Sequence, residues 1–368
     1  MFVPPEYSEQ ELRRRCGSPR QLARISRVRL CEGREAGVEA LEFRTGTGFN
    51  FTVLPGRGMD IAFADFRGRN LAWLSPVGVV AAPYHEPSGY GWMRSHFGGL
   101  LATCGLVNVG APDTIEGDEY GLNGRISHTP ATNVSHDAVW ADDDLYLLAR
   151  GEMRECRPPT VNLLLRRRVK TRASASCLSV HDTITNEGYN STPLQLLYQV
   201  NAGFPLLSSE ARLVTPSVSL TPRDSDAADD KEHFATFGNP TPGYREKVYY
   251  HEVAPATDGR SWAAILNPAL DGGLGLYVKY DPAHLPCMAQ WKMMGEGLYA
   301  MGLGPANGYG LTYEKQKALG QVRTIEPGQS IDIRVEIGVL AGADALAAFE
   351  REITMVRPPE VLYHTQWT

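Results

Sequence analysis

Two long stretches of the chain combine glycine with the side chains that bind small polar molecules. One covers residues 83–130 and the other covers residues 288–310. Both mix glycine with aromatic, histidine, arginine, asparagine and glutamate residues. This blend suits a carbohydrate site, because aromatic faces stack on sugar C–H groups and planar polar groups bind hydroxyls. The alternative is structural, with both stretches forming long surface loops that close the edges of a sandwich.

Composition and charge exclude several classes of partner. The chain has 368 residues and a net charge of −6, so the basic footprint of a nucleic-acid-binding protein is absent. A basic run, Arg166–Arg168 with Lys170, is predicted to be a solvated strand face. No apolar stretch is long enough for a membrane span, and the N-terminal residues lack the apolar segment of a signal peptide. The sequence therefore predicts a cytoplasmic protein without nucleic-acid or membrane partners.

Short β-rich segments separated by turn signals make up most of the chain. Glycine-rich turns such as residues 46–48 and 326–328 punctuate them. This pattern predicts an all-β sandwich or barrel with few short helices. Strands are predicted near residues 23–31, 37–44, 49–54, 60–65, 145–150, 161–170, 176–186, 193–201, 247–254, 261–266, 273–280, 310–316 and 331–340.

Helices are predicted in two places. Residues 8–15 have Ser8 and Glu11 at the positions of a capping box, and residues 342–352 form the second segment. The polar stretch 222–233 is predicted to be a mobile surface loop. Since no repeat or linker divides the chain, residues 1–368 are predicted to form one domain, with residues 1–25 as an N-terminal helical extension.

Six segments of the chain, in order, resemble those of a known family. They read GSPRQLARI, LPGRGMDI, HFGGLLATCGLVNVG, GLNGRISHTPA, LLYQVNAGFPLL and MGLGPAN. Together they resemble the aldose 1-epimerase (galactose mutarotase) superfamily over roughly residues 17–340, and within it an uncharacterised aldose-epimerase-like branch. The resemblance implies a large galactose-mutarotase-like β-supersandwich with a sugar pocket. It also implies mutarotation without a cofactor: a carboxylate removes the anomeric proton and a histidine protonates the ring oxygen.

Three positions depart from the family pattern. The resemblance expects two histidines and a glutamate where this chain has Asn123, Gln199 and Gly304. Neither an amide nor a glycine can transfer a proton at neutral pH. The three replacements together indicate changed or lost chemistry.

Other residues of the chain could replace the missing acid and base. The candidate catalytic residues are His96, His128, Glu296 and Glu314. The structural alternative is a histidine bonded to a backbone carbonyl, or a glutamate on a solvated edge. A divalent metal held by the two histidines and a carboxylate is a further alternative, although the spacing gives it little support. No metal or other cofactor is therefore expected.

Substrate contacts follow from the same resemblance. The candidate sugar-binding residues are Arg57, Asp60, Asn123, Arg125, Gln199, Asn201, Trp291 and Lys292. Arg57 and Asp60 are predicted to orient one another or to bind sugar hydroxyls. If the sugar is acidic, Arg57, Arg125 and Lys292 should line the pocket together.

Two functions are compatible with these residues. The first is an enzyme that acts on a monosaccharide or modified sugar by acid–base catalysis, through mutarotation or a related isomerase or lyase reaction. The alternative is a carbohydrate-binding or regulatory protein that kept the fold after losing catalysis. In both cases the expected partner is a small sugar. A homo-oligomer is compatible with the apolar strand faces.

Overall fold

Strands dominate the architecture. The computed structural model describes residues 7–356, 358 and 360–364. The strands are β1 (Arg24–Arg29), β2 (Glu39–Arg44), β3 (Phe49–Leu54), β4 (Asp60–Phe66), β5 (Arg69–Asn70), β6 (Leu101–Leu106), β7 (Asp113–Ile115), β8 (Asp118–Tyr120), β9 (Thr132–Ala141), β10 (Asp144–Arg157), β11 (Val161–Arg172), β12 (Cys177–Asn186), β13 (Thr192–Pro193), β14 (Gln195–Gly203), β15 (Arg212–Val214), β16 (Ser217–Pro222), β17 (Lys247–Val253), β18 (Ser261–Asn267), β19 (Leu274–Tyr280), β20 (Cys287–Gly295), β21 (Leu298–Ala306), β22 (Thr324–Ile325), β23 (Ser330–Ala341) and β24 (Leu362–Tyr363). The α-helices are α1 (Glu9–Arg15), α2 (Ser225–Asp229), α3 (Tyr313–Ala318) and α4 (Ala343–Val356). The predicted all-β class is therefore confirmed.

The described residues separate into two units. Unit 1 takes the residues up to Gly68, then Leu74–Leu196 and Gly310–Arg334. Unit 2 takes Arg69–Trp73, Leu197–Tyr309 and the residues from Val335 onward. The single domain over 1–368 stays a prediction, and residues 1–6 of its proposed N-terminal extension lie outside the described part.

Unit 1 contains two antiparallel arrays of strands. One has the order β1-β2-β3-β4-β6 and the other has the order β12-β11-β10-β9. Side chains alternate between the two faces of a strand, so Arg167 of β11 points inward while Arg166 and Arg168 are exposed. The prediction of a solvated basic face is therefore wrong for Arg167, because the residue falls on the buried phase of its strand.

Unit 2 also contains two arrays. One has the order β14-β21-β20-β17-β16-β24 and the other has the order β15-β18-β19-β23. Helix α4 covers the second array with Leu346, Phe349 and Ile353, which are buried against Ala264 and Leu266. The spacing of these three residues places them on one helix face, and the predicted helix over 342–352 is confirmed.

The helix over 8–15 is also confirmed. The Ser8 side chain accepts from the backbone N–H of Glu11, and the Glu11 carboxylate accepts from the backbone N–H of Ser8. These two bonds are the reciprocal capping box. By contrast, the strand predicted over 310–316 is wrong, because α3 occupies Tyr313–Ala318.

Residues 288–310 form a β-hairpin rather than a loop. Strands β20 and β21 pair from Cys287↔Ala306 to Gly295↔Leu298. Glycine at 302 and 304 resembles a loop signal in the sequence, but here it lies in a strand that is buried on both faces. Likewise, residues 83–130 contain strand β6 and the short β7–β8 hairpin between turns.

The stretch 222–233 is folded and bonded to strand β20 rather than being a plain loop, and its predicted mobility stays a prediction. It contains α2 and a 3₁₀ turn at Lys231–His233. The buried Lys292 ammonium donates to the His233 carbonyl at 2.8 Å and to Asp230 Oδ2 at 3.1 Å. The Gln290 amide donates to the Phe234 carbonyl at 2.6 Å. None of the helices in the described residues has the length and apolar character needed to cross a membrane.

Candidate functional site

Three histidines meet in the interior of unit 1. The rings of His85 and His128 stack with their centroids 3.9 Å apart. The ring of His96 stacks on Trp92 with centroids 4.1 Å apart, and Trp92 meets His128 edge-on at 6.3 Å. The structure therefore brings together the two histidines that the sequence singled out, and it adds His85 and Trp92 to them. We refer to His85, Trp92, His96 and His128 as the histidine cluster.

The cluster carries buried polar atoms that lack protein partners. His128 shares a hydrogen bond of 2.8 Å between its Nε2 and Ser95 Oγ. Its Nδ1, both ring nitrogens of His85 and the Trp92 Nε1 find no hydrogen-bond partner among the described residues. Buried polar atoms are almost always hydrogen-bonded. Four such atoms in one cluster point to a polar molecule, water or ligand, that completes them.

Burial keeps the three histidines neutral. Desolvation, with a smaller effect of the Arg57 charge, lowers the pKa of His96 to about 3. The same two causes, with Arg125 contributing, lower the pKa of His85 to about 4. The pKa of His128 is also lowered, by burial first and then by Arg57. At neutral pH each ring therefore presents one N–H donor and one lone pair.

Arg57 holds the loops that carry the cluster. Its guanidinium is fully buried and donates to the carbonyls of Ser127 and Ser95, each at 3.0 Å, and to that of Val80. Burial lowers the pKa of Arg57 to about 10, so it keeps its charge. These contacts are to backbone groups, and sugar binding by Arg57 stays a prediction.

Asp60 belongs to a buried ion network. Its Oδ1 accepts from the Thr103 hydroxyl at 2.7 Å and from Arg167 at 3.2 Å. Arg167 also binds both carboxylate oxygens of Asp182, at 2.9 and 2.6 Å. Burial raises the pKa of Asp60, and the Arg167 charge opposes this. The predicted sugar contact of Asp60 stays a prediction.

The turn that follows Leu122 carries three candidate residues, Asn123, Arg125 and His128. Asn123 adopts a left-handed conformation, with φ of 58°, which asparagine tolerates better than most residues. Its Oδ1 accepts from the Gly110 N–H at 3.0 Å. The exposed Arg125 precedes the 3₁₀ turn Ile126–His128 and lines a cavity of about 400 Å³.

Unit 2 groups the amide and aromatic candidates around Gly302. A Cβ at Gly302 would lie 3.2 Å from Gln199 Nε2, 3.3 Å from Asn201 Oδ1 and 3.3 Å from Trp291 Cβ. The Trp291 ring also meets Trp73 edge-on at 5.3 Å. Amides and an aromatic face in one place can bind a sugar by hydrogen bonds and stacking.

Gly304, where the resemblance expects a glutamate, has little room for a side chain. A Cβ there would lie 2.4 Å from Leu197 Cδ1 and 3.2 Å from the Ala289 carbonyl. A carboxylate at this position would require Leu197 to move.

Lys292 is only 4% exposed, and its ammonium is engaged by Asp230 and the His233 carbonyl. Burial lowers its pKa, opposed by Asp230. Arg57 is likewise bound to backbone carbonyls. The acidic-sugar hypothesis expected both to line a pocket with Arg125, and their charged groups are instead occupied by protein atoms.

The two candidate glutamates lie at exposed positions. Glu296 occupies the turn between β20 and β21, and Glu314 lies in the first turn of α3. No contact in the described residues joins either one to the histidine cluster. Their catalytic role stays a prediction.

His85 and Glu155 are two further residues that the sequence did not single out. His85 lies in the same polar stretch as His96, which was a usable signal. Glu155 lies in β10, where positions 145, 147, 149, 151 and 153 are buried and 155 continues that phase. An acidic residue on the buried phase of a strand is a signal that could have identified it.

Comparison with protein families gives one match. A family described as a domain of unknown function, DUF4432, matches residues 35–339. Comparison with curated proteins finds no match.

Solved structures share the fold. A provisionally assigned aldose 1-epimerase from Klebsiella pneumoniae has a TM-score of 0.87 and 25% identity, over 93% of this chain and 90% of its own. A galactose mutarotase-like protein from Clostridium acetobutylicum has a TM-score of 0.61 and 11% identity, over 86% and 98%. Galactose 1-epimerase from Lactobacillus acidophilus has a TM-score of 0.56 and 12% identity, over 87% and 99%. The chain therefore belongs to the DUF4432 family, with the β-sandwich fold of galactose mutarotase-like proteins.

Proposed function

We propose that this protein acts on a monosaccharide and interconverts its anomers, as an aldose 1-epimerase does. The observation that carries the proposal is the set of buried nitrogens in the histidine cluster without partners among the described residues. Likeness to the provisionally assigned epimerase from Klebsiella pneumoniae supports the same reaction class. The comparisons give no support to a lyase.

Interconversion of the anomers requires a group that stabilises charge on the ring oxygen of the sugar. When the bond between the anomeric carbon and the ring oxygen breaks, negative charge develops on that oxygen. A neutral imidazole can stabilise such charge by donating its N–H, and a lowered pKa keeps it neutral. His85 and His128 meet this description, because burial lowers both pKa values and each has a ring nitrogen without a hydrogen-bond partner among the described residues.

The second candidate function is sugar binding without catalysis. It is favoured by the grouping of Gln199, Asn201 and Trp291 around Gly302. Amides and an aromatic ring bind a sugar but transfer no proton. In this case anomers would bind at unit 2 without interconverting any faster.

Proton exchange NMR on a panel of aldoses, uronates and keto-sugars tests the proposal. We expect the wild-type protein to accelerate exchange between the anomers of at least one sugar. His128→Gln and His85→Gln should each lower the rate about 100-fold, the lower range for a lost proton-transfer or donor group. The exposed His364→Gln serves as the matched control and should keep the wild-type rate.

Thermal unfolding of each variant separates loss of fold from loss of chemistry. Ligand line broadening with no acceleration for any sugar would refute the epimerase proposal in favour of the binding function. Wild-type rates in both His128→Gln and His85→Gln would remove the histidine cluster from the reaction.

A further inference from the structure

The cavity beside Arg125 contains the buried carboxylate of Glu155, which has no role in the function proposed above. The cavity has a volume of about 400 Å³, which lies in the range of small-ligand sites. Its walls come from strand β8, the turn after Leu122, strand β10 and the start of β11. The lining residues are Asp118, Glu119, Tyr120, Arg125, Thr129, Arg154, Glu155, Cys156, Arg157 and Val161.

Glu155 is fixed in this wall by a backbone contact. Its Oε2 accepts from the Leu106 N–H at 2.9 Å. The neighbouring residue Gly105 exchanges hydrogen bonds with the turn that carries Arg125: the Gly105 N–H donates to the Asn123 carbonyl, and the Arg125 N–H donates to the Gly105 carbonyl, both at 3.0 Å. A single peptide of β6 thus connects the Glu155 carboxylate to the turn.

The same turn joins the cavity to the histidine cluster. Arg125 and Thr129 line the cavity, and His128 lies between them in the chain, in a turn that packs against β10 and β6. The Arg125 charge acts on both sides: it adds to burial and the Arg57 charge in lowering the pKa of His85, and it opposes the burial that raises the pKa of Glu155. Arg125 therefore lies within electrostatic range of both the cluster and the carboxylate.

We propose that Glu155 supplies the carboxylate base of this protein, in place of the glutamate that is absent at Gly304. The inference rests on the proposed function. The Glu155 carboxylate takes the proton of the anomeric hydroxyl, and the electrons of that O–H bond form the aldehyde carbonyl. The bond to the ring oxygen breaks, and its electrons stay on that oxygen as an alkoxide. Reclosure on the opposite face returns the proton from Glu155 and yields the other anomer.

The surroundings suit a carboxylate that exchanges a proton. Burial raises the pKa of Glu155 above the usual value, while the Leu106 hydrogen bond and Arg125 limit the rise. Burial and the Glu155 charge raise the pKa of Tyr120 to about 12, so that hydroxyl stays protonated and can donate. The other charged or titratable groups of the cavity wall are Asp118, Glu119, Arg154, Cys156 and Arg157.

The decisive variant is Glu155→Gln. Glutamine keeps an oxygen that accepts from the Leu106 N–H, but it cannot take a proton, so the fold is kept and the reaction step is removed. We expect the exchange rate to fall at least 100-fold with an unchanged melting temperature. The matched control is Glu152→Gln, on the same strand but the opposite face, bonded to Asn133 and Arg166; it should keep the wild-type rate.

The pH profile provides the second readout. The wild-type rate should fall as the pH drops through the pKa of Glu155, since protonation removes the base, and Glu155→Gln should lack this limb. If the wild type is active and Glu155→Gln retains both its rate and its acid limb, Glu155 only anchors Leu106 and the inference is overturned. If the wild type accelerates no exchange, the epimerase proposal itself fails, and Glu155 as its base fails with it.

Discussion

Arg167 is bound by two aspartates in the interior of unit 1, and its side chain and theirs are fully buried. Its guanidinium also donates to the Gly58 carbonyl at 3.1 Å. Removing one partner from a buried ion pair leaves an uncompensated charge, which is much more costly than losing an exposed pair. At the residue scale, stability therefore depends on Arg167 far more than on its charged neighbours in sequence.

Arg167→Leu should lower the free energy of unfolding by about 3–5 kcal/mol, because Asp60 and Asp182 lose their shared cation. Urea unfolding at pH 7 measures the change. Arg168→Leu is the matched control on the same strand. Its exposed side chain contacts only His181 among the described hydrogen-bond partners, and its loss should cost less than about 1 kcal/mol. Equal losses in the two variants would contradict the buried network.

At the scale of elements, Lys292 joins strand β20 to the segment that contains α2. Its ammonium reaches both Asp230 and the His233 carbonyl, whereas Lys247 reaches Asp230 alone, at 3.2 Å. The strand thus restrains the segment by a charged hydrogen bond to its backbone. Hydrogen bonds to charged groups contribute roughly 1.5–3 kcal/mol.

Lys292→Met should loosen this segment locally. We expect amide hydrogen exchange in residues 230–236 to accelerate about 10- to 100-fold, which corresponds to the loss of one such bond. Lys247→Met should have a smaller effect, since it leaves the bond to the His233 carbonyl in place. Mass spectrometry of exchanged peptides measures both. Unchanged exchange in Lys292→Met would mean that other contacts of the segment hold it.

Helices could be predicted from the sequence where residues close together in the chain are enough to specify them. Ser8 and Glu11 specify the start of α1, and the spacing of Leu346, Phe349 and Ile353 specifies α4. The β20–β21 hairpin was missed because Gly302 and Gly304 read as loop residues, and only their burial between neighbouring strands explains them.

Prediction of the site was limited for a different reason. His96 and His128 could be chosen by residue type and by their position in a polar stretch. His96 stacks on Trp92, only four residues away, but the contacts of His128 with His85 and Trp92 join two separate turns, which Arg57 ties together. No sequence pattern encodes those long-range contacts.

On the scale of the whole molecule, buried neutral histidines make stability dependent on pH. His251 of unit 2 is fully buried, and shares hydrogen bonds of 2.8 Å with Ser217 Oγ and Gln290 Oε1. Burial lowers its pKa to about 4, with the Gln290 bond opposing the change. An unfolded histidine titrates near pH 6.5. Between those two values the unfolded chain binds a proton that the folded protein does not.

Acid should therefore destabilise the wild type more steeply than His251→Gln. The contribution of His251 is fully present above about pH 6.5, and it is lost as the pH falls toward 4, at about 1.4 kcal/mol per pH unit. Urea unfolding of both proteins between pH 7.5 and 4.5 measures the difference in slope. Asp60 and Glu155 are present in both proteins, so their contributions to the pH dependence of the free energy of unfolding cancel in this comparison. Parallel curves would show that His251 titrates normally in the fold.

The close approach of Leu197 to Gly304 bears on how this sequence can change over evolutionary time. A single replacement that introduced an acidic residue at 304 would set its Cβ 2.4 Å from Leu197 Cδ1 and 3.2 Å from the Ala289 carbonyl. Leu197 Cδ1 is the end of a flexible and only partly buried side chain, so a change of its rotamer makes most of the room that the new side chain needs. One substitution therefore suffices to bring a carboxylate to 304, and the residue at 197 sets how readily this sequence accepts it.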